Sequence, residues 1–524
     1  MRFFARERHW RRPTARDIVA GLVVCIGTLV VFMIAVPPAS FPVGWDVWWN
    51  LHVGRTIAES GFPASLPQGG FTQFARDYAD RQWLFHLVLA AFGGRELGPA
   101  HVPYLIYGFA LAQVATLYAC ARSLVRVPVP ILATLLVWGL STTSLFRAMA
   151  LRDMLLAILP LIVLVRALAE DRFEHRFRER RSWLCSFFAA LVFTWSHGAP
   201  TLLLVVAFLV MLGRRLDGLR AAWSRFVPIT AGIIVAIFLR PNPLGTLELL
   251  FTLNVTMPLS AWSGELPIQP AEFARPAVGA LLRGAWPLFV VCLFVVGRAW
   301  RRRRWWSLAL PALAFTVGSF FGARLIELAV PLNVLAVLVQ LGELRWTGPR
   351  HTAVIGLGAC ALVASTASRL GPSLDANRFV VVEKLAADLA ARARPGDVVF
   401  VTDWGLTSPL AFLTRGLPLR FTGVTDPVLM LAEAPEHFAA WWRIKAAKDP
   451  EAARTMRERF NARFAVIGFA DRAPGRPVGE TSTLIWESFR RLEDAGTAVI
   501  SRDYPMPSPH RAIEVGYRVY ELAR

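Results

Sequence analysis

The sequence predicts a polytopic α-helical membrane protein that carries a C-terminal extracytoplasmic α/β domain. Of its 524 residues, 55% are hydrophobic and only 18% are charged, a composition more apolar than a water-soluble surface tolerates. Long apolar runs separated by short arginine-rich loops fill residues 1–369, the predicted transmembrane domain. In residues 370–524, short apolar runs alternate with amphipathic stretches, as in a small soluble α/β domain.

The apolar runs predict membrane-spanning helices, because a lipid-exposed backbone must satisfy its own hydrogen bonds. If the run at 83–97 crossed fully, the basic loops at 172–182 and 298–304 would lie outside, against the cytoplasmic preference of arginine and lysine. We therefore predict that the segment from Gln82 to Gly94 is interfacial or re-entrant, and that about eleven other runs cross the membrane. Those runs lie at 17–37, 101–120, 127–146, 153–168, 183–197, 199–213, 226–239, 279–298, 305–321, 325–342 and 351–368.

The formal net charge of +20 comes from arginines that cluster in short loops between the apolar runs. We interpret these arginines as topology signals, and so predict no nucleic-acid partner. The basic N-terminal segment 2–16 is then cytoplasmic, and the first outer loop, residues 38–82, lies on the same outer side as residues 370–524. The five cysteines all fall inside predicted spans, which argues against a disulfide framework or a cysteine metal site.

The C-terminal part alternates strand and helix patterns, which predicts a small α/β domain with a largely parallel sheet. It contains no phosphate-binding glycine loop and no nucleophile elbow. The predicted strands are 398–402, 418–424, 463–468, 497–502 and 513–521, and the predicted helices are 378–393, 434–447, 449–461 and 482–495.

Asp46 is the first candidate for chemistry. It follows the first apolar run by a few residues and stands among Trp45, Trp48 and Trp49. A carboxylate at this depth is partly desolvated, which raises its basicity or suits it to hold a metal ion. The alternative is an ordinary interfacial acid within a belt of aromatic side chains.

The segment around Asp46 resembles the first outer loop of bacterial membrane proteins with the GT-C glycosyltransferase fold. Relatives with this fold include the protein O-mannosyltransferases, the lipid A aminoarabinose transferases and the catalytic subunits of oligosaccharyltransferase. The resemblance rests on short motifs spread over most of the chain. They are DVWWNLHVGR at 46–55, DYADRQWLF at 77–85, FRAMALRDMLLAILPL at 146–161, WSHGAP at 195–200, RPNPLG at 240–245, FGARLIELAVPL at 321–332 and VTDWGLTSPLAFL at 401–413.

This resemblance implies transfer of a sugar from a polyprenyl-phosphate carrier, at the outer face of a bacterial inner membrane, to a glycan, lipid or protein acceptor. Asp46 is the position that matches the general base or metal ligand of the fold. A carboxylate can accept the proton that an acceptor hydroxyl loses as it attacks the anomeric carbon. A divalent metal ion is the cofactor that this role would allow, but Asn50 stands where related sequences often have histidine, a departure that argues against a metal here.

The resemblance also implies cations for the lipid phosphate that leaves, and arginine supplies planar, bidentate donors. The remaining candidates each have a structural alternative. Asp80 is a second acid of the site or a solubilising loop residue. Asp153 binds substrate or neutralises Arg147 or Arg152, and His197 orients a phosphate or binds a carbonyl. Together with Asp46, the candidate residues are Asp80 for catalysis and Trp49, Asn50, Arg147, Arg152, Asp153, His197 and Arg324 for substrate binding.

Two other functions fit the same pattern. A non-catalytic membrane subunit could keep the scaffold to bind a partner protein or a lipid, since a fold does not determine a function. A transporter is the third hypothesis. It is less well supported, because the spans show no evident inverted repeat and few intramembrane charges.

Overall fold

The computed structural model describes two regions of the chain: residues between 15 and 344, and residues between 377 and 522. The basic segment 2–16 (apart from its last two residues), the predicted span at 351–368 and the boundary at 369 lie outside the described residues. The full described ranges are 15–35, 44–125, 131–170, 176–221, 223–263, 276–344, 377–422, 427–473, 476–477, 480–495, 499–506 and 514–522.

In the described residues of the first region, the regular secondary structure is helical. Short 3-10 turns connect several of its helices, and a π-helical turn at 252–256 separates α11 from α12. Its helices are α1 (Ala15–Ala35), α2 (Asp46–Ser60), α3 (Trp83–Gly93), α4 (Val102–Leu124), α5 (Leu132–Gly139), α6 (Thr142–Met149), α7 (Met154–Ala169), α8 (Arg176–Ser196), α9 (Thr201–Leu216), α10 (Phe226–Phe238), α11 (Pro243–Phe251), α12 (Met257–Ser263), α13 (Val278–Arg302), α14 (Trp306–Gly318) and α15 (Ile326–Gly342).

Within the described residues, three helical stretches are long and apolar enough to cross a membrane by themselves: Pro99–Leu124, Val278–Arg302 and Ala323–Gly342. Helix α3 has 11 residues and is therefore about 16 Å long, too short to cross an apolar layer of about 30 Å alone. The interfacial or re-entrant placement of the segment at 82–94 stays a prediction, because helices in predicted spans such as α10 and α14 have only 13 residues. The count of about eleven crossings stays a prediction.

The run at 127–146 is not the continuous helix that the sequence predicts. Helices α5 and α6 meet at an angle of 93°, as in a broken span or a re-entrant pair. Ser141 has an extended backbone here, and its side-chain oxygen accepts a hydrogen bond of 3.1 Å from the amide of Ser144. Such a cap offers the backbone an alternative to continuing the previous helix, which hydropathy alone does not detect.

Helix α15 lies at the centre of this region. It packs against α4, α13 and α14, and it is buried from Ile326 to Gln340. Helix α7 packs beside it against α4, α8 and α9. The starts of α7 and α15 carry several of the candidate polar residues, so this packing determines where those side chains meet.

The second region is a sheet covered by helices. The strand order is β2-β1-β3-β6-β5, with β4 paired to β3. The elements are α16 (Asn377–Arg392), β1 (Val398–Val401), α17 (Trp404–Leu413), β2 (Arg420–Phe421), α18 (Pro427–Glu433), α19 (Pro435–Lys445), α20 (Ala452–Phe460), β3 (Ala462–Ala473), β4 (Arg476–Pro477), α21 (Glu480–Asp494), β5 (Val499–Met506) and β6 (Glu514–Leu522).

This sheet is mixed, so the prediction of a largely parallel sheet is wrong. Strand β1 pairs in parallel with β2 and β3, but β3 pairs antiparallel with β6, and β6 antiparallel with β5. Helices separate β1, β2 and β3 along the chain and permit the parallel crossovers. Only a short connection separates β5 from β6, and it is too short for a parallel crossover.

The sheet region docks on the first outer loop. One hydrophobic cluster includes Trp49 and Phe74 of that loop together with Leu410 of α17 and Phe421 of β2. The rings of Trp48 and Phe412 lie 5.4 Å apart. Gly70 has φ +54°, and a Cβ there would overlap the carbonyl oxygen of Phe421. The loop and the sheet region therefore share a close-packed interface, which glycine at position 70 permits.

Candidate active site

Two packed helices and one buried arginine hold the first outer loop against the membrane helices. Helices α2 and α3 pack against each other, although the sequence predicts only a polar loop up to residue 82. Arg240 donates through Nη1 to the backbone oxygen of Asp80 at 2.6 Å and through Nη2 to that of Thr194. This guanidinium is 4% exposed and links the loop to the end of α8.

A pocket of about 530 Å³, including the solvent space at its mouth, lies between the loop and the membrane helices. Its walls come from the start of α2, the segment leading to α3, the start of α7 and the turn before α15. Seven predicted site residues meet there, although they are spread over nearly 280 positions. The lining residues are Asp46, Trp49, Asn50, Phe74, Tyr78, Ala79, Asp80, Arg81, Gln82, His86, Arg152, Asp153 and Arg324.

Asp46 is the most accessible carboxylate in this wall, with 47% of its side chain exposed. Arg152 holds it by two donors on one oxygen: Nε lies 2.9 Å from Oδ2, and Nη2 also contacts Oδ2. Because the carboxylate lies at the first turn of α2, the helix dipole also favours its charge. The other carboxylate oxygen of Asp46 has no described hydrogen bond in this arrangement.

Arg152 belongs to a second ion pair that the sequence does not predict. Its Nη1 lies 3.7 Å from Oε1 of Glu327, and Nε of Arg147 contacts the same oxygen. Glu327 is in the first turn of α15, and only 6% of its side chain is exposed. One buried carboxylate therefore faces two guanidinium groups, only one of which, that of Arg152, lines the pocket.

The chain between these two arginines has an unusual backbone. Leu151 adopts φ +44°, in the left-handed region that residues other than glycine rarely occupy. Its carbonyl accepts a hydrogen bond of 3.1 Å from Nδ2 of Asn50. This turn ends α6 shortly after Arg147 and presents Arg152 from the other side, which is how both arginines reach Glu327. Strained residues of this kind concentrate at functional sites.

Asp80 lies in the same wall but is almost fully enclosed. Its Oδ2 lies 2.7 Å from Nδ1 of His86, and its Oδ1 accepts from the amide of Gln82 at 2.8 Å. Nε2 of His86 lies 3.1 Å from Oδ1 of Asn50. Burial raises the pKa of the adjacent Tyr78 hydroxyl well above its usual range, and the Asp80 carboxylate adds to this shift. A buried hydrogen-bond network thus joins Asp80, His86 and Asn50 within the pocket wall.

Asp153 also has a histidine partner. Its Oδ2 lies 2.5 Å from Nδ1 of His197, and both side chains are 4% exposed or less. The sequence leaves open a pairing of Asp153 with Arg147 or Arg152; in the structure Asp153 makes its hydrogen bond with His197, which itself does not line the pocket. Arg324 lines the pocket directly and precedes α15 in a short 3-10 turn.

The donor set does not fit a bound metal ion. The two loop carboxylates that line the pocket already have hydrogen-bond partners. Asp46 contacts Arg152, and Asp80 contacts His86 and the amide of Gln82. Within the described ranges, no group of three His, Cys, Asp or Glu side chains is arranged to hold a metal. A divalent cation prefers several oxygen ligands and would compete here with a guanidinium.

Sequence patterns predicted seven of the residues that line the pocket, but not the ion pairs and hydrogen bonds between them. The pocket contains Asp46, Trp49, Asn50, Asp80, Arg152, Asp153 and Arg324; Arg147 and His197 lie behind it. The sequence analysis did not predict Arg81 and His86, which line the pocket, or Glu327, which contacts Arg147 and Arg152 behind it. Glu327 had a detectable signal, because an acid at the start of an apolar run is rare without a partner.

Comparison with solved structures identifies the fold of this chain. No protein-family model matches the chain, and no curated protein sequence matches it. The oligosaccharyltransferase of Archaeoglobus fulgidus, solved with a tethered acceptor peptide, is 12% identical, with a TM-score of 0.58 over 86% of this chain and 69% of that one. The chain thus has the GT-C fold of membrane glycosyltransferases.

Two further structures share the fold. ArnT from Cupriavidus metallidurans, solved bound to undecaprenyl phosphate, is 14% identical, with a TM-score of 0.53 over 96% of this chain and 98% of that one. The arabinofuranosyltransferase AftD from Mycobacteria is 17% identical, with a TM-score of 0.54 over 98% of this chain and 40% of that one. The similarity therefore extends over both regions of the chain.

Proposed function

We propose that this protein is a glycosyltransferase that moves a sugar from a polyprenyl-phosphate carrier to an acceptor on the outer face of a bacterial inner membrane. The observation that carries the proposal is the accessible Asp46 carboxylate beside Arg152 in a pocket that Arg81 and Arg324 also line. Such a wall combines a proton acceptor with cations for a phosphate. In support, a structure with the same fold is solved bound to undecaprenyl phosphate.

The proposed chemistry is a substitution at the anomeric carbon of the donor. The bond from this carbon to the phosphate oxygen breaks, and the leaving polyprenyl phosphate takes the bonding electrons. The acceptor hydroxyl forms the new bond to the carbon, and its proton passes to the carboxylate of Asp46. Arg152, Arg81 and Arg324 stabilise the charge that develops on the phosphate.

Asp80 acts in this proposal as a positioning residue and not as a second base. Both of its oxygens already accept hydrogen bonds, and the side chain is 2% exposed. Its contacts hold His86 and Asn50, and Asn50 holds the turn at Leu151 that precedes Arg152. These hydrogen bonds thus connect the first outer loop to Arg152, the arginine that binds Asp46.

The proposed orientation has the N-terminus in the cytoplasm and the domain from 370 to 524 in the periplasm. The basic residues at 298–304, where α13 ends, and the arginine-rich segment at 172–182 then face the cytoplasm, in accord with the positive-inside preference. The pocket and the sheet region that docks beside it lie on the opposite, outer side. The carrier lipid reaches the pocket from the bilayer and the acceptor from the periplasm.

The test is the Asp46→Asn variant, assayed in purified form with polyprenyl-phosphate-linked sugars. We expect turnover to fall by about 100-fold to 10,000-fold, because a positioned base contributes on that order. Glu59→Gln is the matched control: this acid lies at the other end of α2, where it pairs with Arg55 at 2.6 Å. Full activity of Asp46→Asn would contradict the assignment, and a wild-type protein inactive with every sugar donor would favour the non-catalytic subunit.

A further inference from the structure

The carboxylate of Glu327 occupies a position that the proposed mechanism does not use. It is buried at the start of α15 and contacts Arg147 and Arg152, which are themselves 16% exposed. Asp46 completes the group through Arg152. Two guanidinium groups and two carboxylates thus balance one another, and burial makes any change in that balance costly.

The two arginines differ in what they can reach. Arg147 contacts Glu327 and does not line the pocket, whereas Arg152 lines the pocket and lies between Glu327 and Asp46. The contact from Arg152 to Glu327 is the looser of its two ion pairs, at 3.7 Å. Arg152 is therefore a cation that two carboxylates share, and an incoming anion would compete with both.

We propose that Glu327 is a positioning residue that sets the charge of the phosphate site through Arg152. It neutralises Arg147 and leaves Arg152 only partly neutralised, so that the donor phosphate draws Arg152 away from Asp46. Asp46 then faces the acceptor hydroxyl as a base without a guanidinium partner. This inference rests on the proposed function, because it assigns the anion that Arg152 meets to a polyprenyl phosphate.

The charge balance predicts opposite effects on binding and turnover. In Glu327→Gln the local charge becomes more positive, so undecaprenyl phosphate should bind several-fold more tightly to the purified protein. Turnover should fall several-fold, because Arg152 is no longer held between its two partners. Polyprenol, which has no phosphate, should bind with unchanged affinity, and inorganic phosphate should compete more strongly than with the wild type.

Glu343→Gln is the matched control, because this acid ends the same helix and pairs with Arg304 at 3.1 Å. It removes the same charge far from the pocket and should leave undecaprenyl phosphate binding unchanged. Glu327→Asp keeps the charge and should retain near wild-type binding with reduced turnover. Arg147→Gln leaves Glu327 to Arg152 alone and should weaken binding several-fold, although Arg147 does not line the pocket.

A purely structural role for Glu327 would weaken undecaprenyl phosphate binding in both Glu327→Gln and Arg147→Gln. That result, or unchanged affinity in either variant, would overturn the inference. If Glu327→Gln does not fold, unchanged affinity in Arg147→Gln would still overturn the inference, and weakened binding in Glu327→Asp, which keeps the charge, would indicate a structural role. The binding measurement needs no turnover, so an inactive wild type would count against the proposed function alone.

Discussion

The pocket and the sheet region use charge in different ways. In the pocket, Arg152 pairs with one exposed and one buried carboxylate from distant parts of the chain. In the sheet region, Arg392 pairs with Asp388 and Glu521, which belong to the same domain and are about 16% exposed. The two guanidinium groups are equally exposed, so the difference lies in their surroundings: Arg152 lines a pocket, whereas Arg392 joins elements of one domain.

The largest expected effect is on turnover when Arg152 is replaced. Arg152→Gln removes the partner of Asp46 and, in the proposed mechanism, a cation beside the leaving phosphate, so turnover should fall roughly 100-fold to 1,000-fold. Arg392→Gln removes a guanidinium of similar exposure from the sheet region and should keep near wild-type turnover with a lower melting temperature. Equal losses of turnover in the two variants would show that Arg152 has no greater role in catalysis than an arginine of the sheet region.

The next effect concerns the junction of the two regions, where His52 of α2 is buried. Burial lowers the pKa of His52 to about 4, and the charge of nearby Arg415 adds to this shift. Because the folded pKa lies below the unfolded value, stability is present above pH 6.5 and is lost as pH falls toward 4. The total loss is about 3.5 kcal/mol at most, from about 1.4 kcal/mol for each pKa unit.

Thermal melting of the purified protein between neutral and mildly acidic pH measures this loss. His52→Gln cannot take up the proton and should melt with a weaker dependence on pH. His101→Gln, at a partly exposed position before α4, should keep the wild-type dependence. Identical pH profiles for wild type and His52→Gln would show that this junction does not sense protonation of His52.

The smallest expected effect is at the edge of the sheet region. Arg502 donates to Asp388 at 2.7 Å and is half-exposed, so Arg502→Gln should cost about 0.2–1 kcal/mol in the free energy of unfolding. High salt should remove most of the difference from wild type, because it screens exposed charges. If the loss of unfolding free energy persists in high salt, the ion pair of Arg502 is shielded from solvent, as the buried pairs beside the pocket are.

Local patterns predicted much of the fold. Periodicity located four helices and five strands of the sheet region, with close boundaries for the strand at 398–402 and the helix at 378–393. Strands β3 and β5 continue to Ala473 and Met506, beyond their predicted ends at 468 and 502. It missed α17, the short elements α18 and β4, and the antiparallel pairing of β3, β5 and β6. Helix α17 has no strong polar face, and strand pairing depends on distant partners. Hydropathy likewise merged α5 and α6, since both halves are apolar and only the cap at Ser141 marks the break.

The candidate site shows the same division. The sequence alone determined the residue types, the apolar character of the first region and the motifs that identify Asp46, Arg152 and Arg324 as candidates, because each depends on a residue and its neighbours along the chain. Only the tertiary structure decided their partners. Asp46 meets Arg152 across 106 positions, and Glu327 reaches the same guanidinium from α15. Such contacts follow from how whole helices pack, and short segments of sequence do not encode that packing.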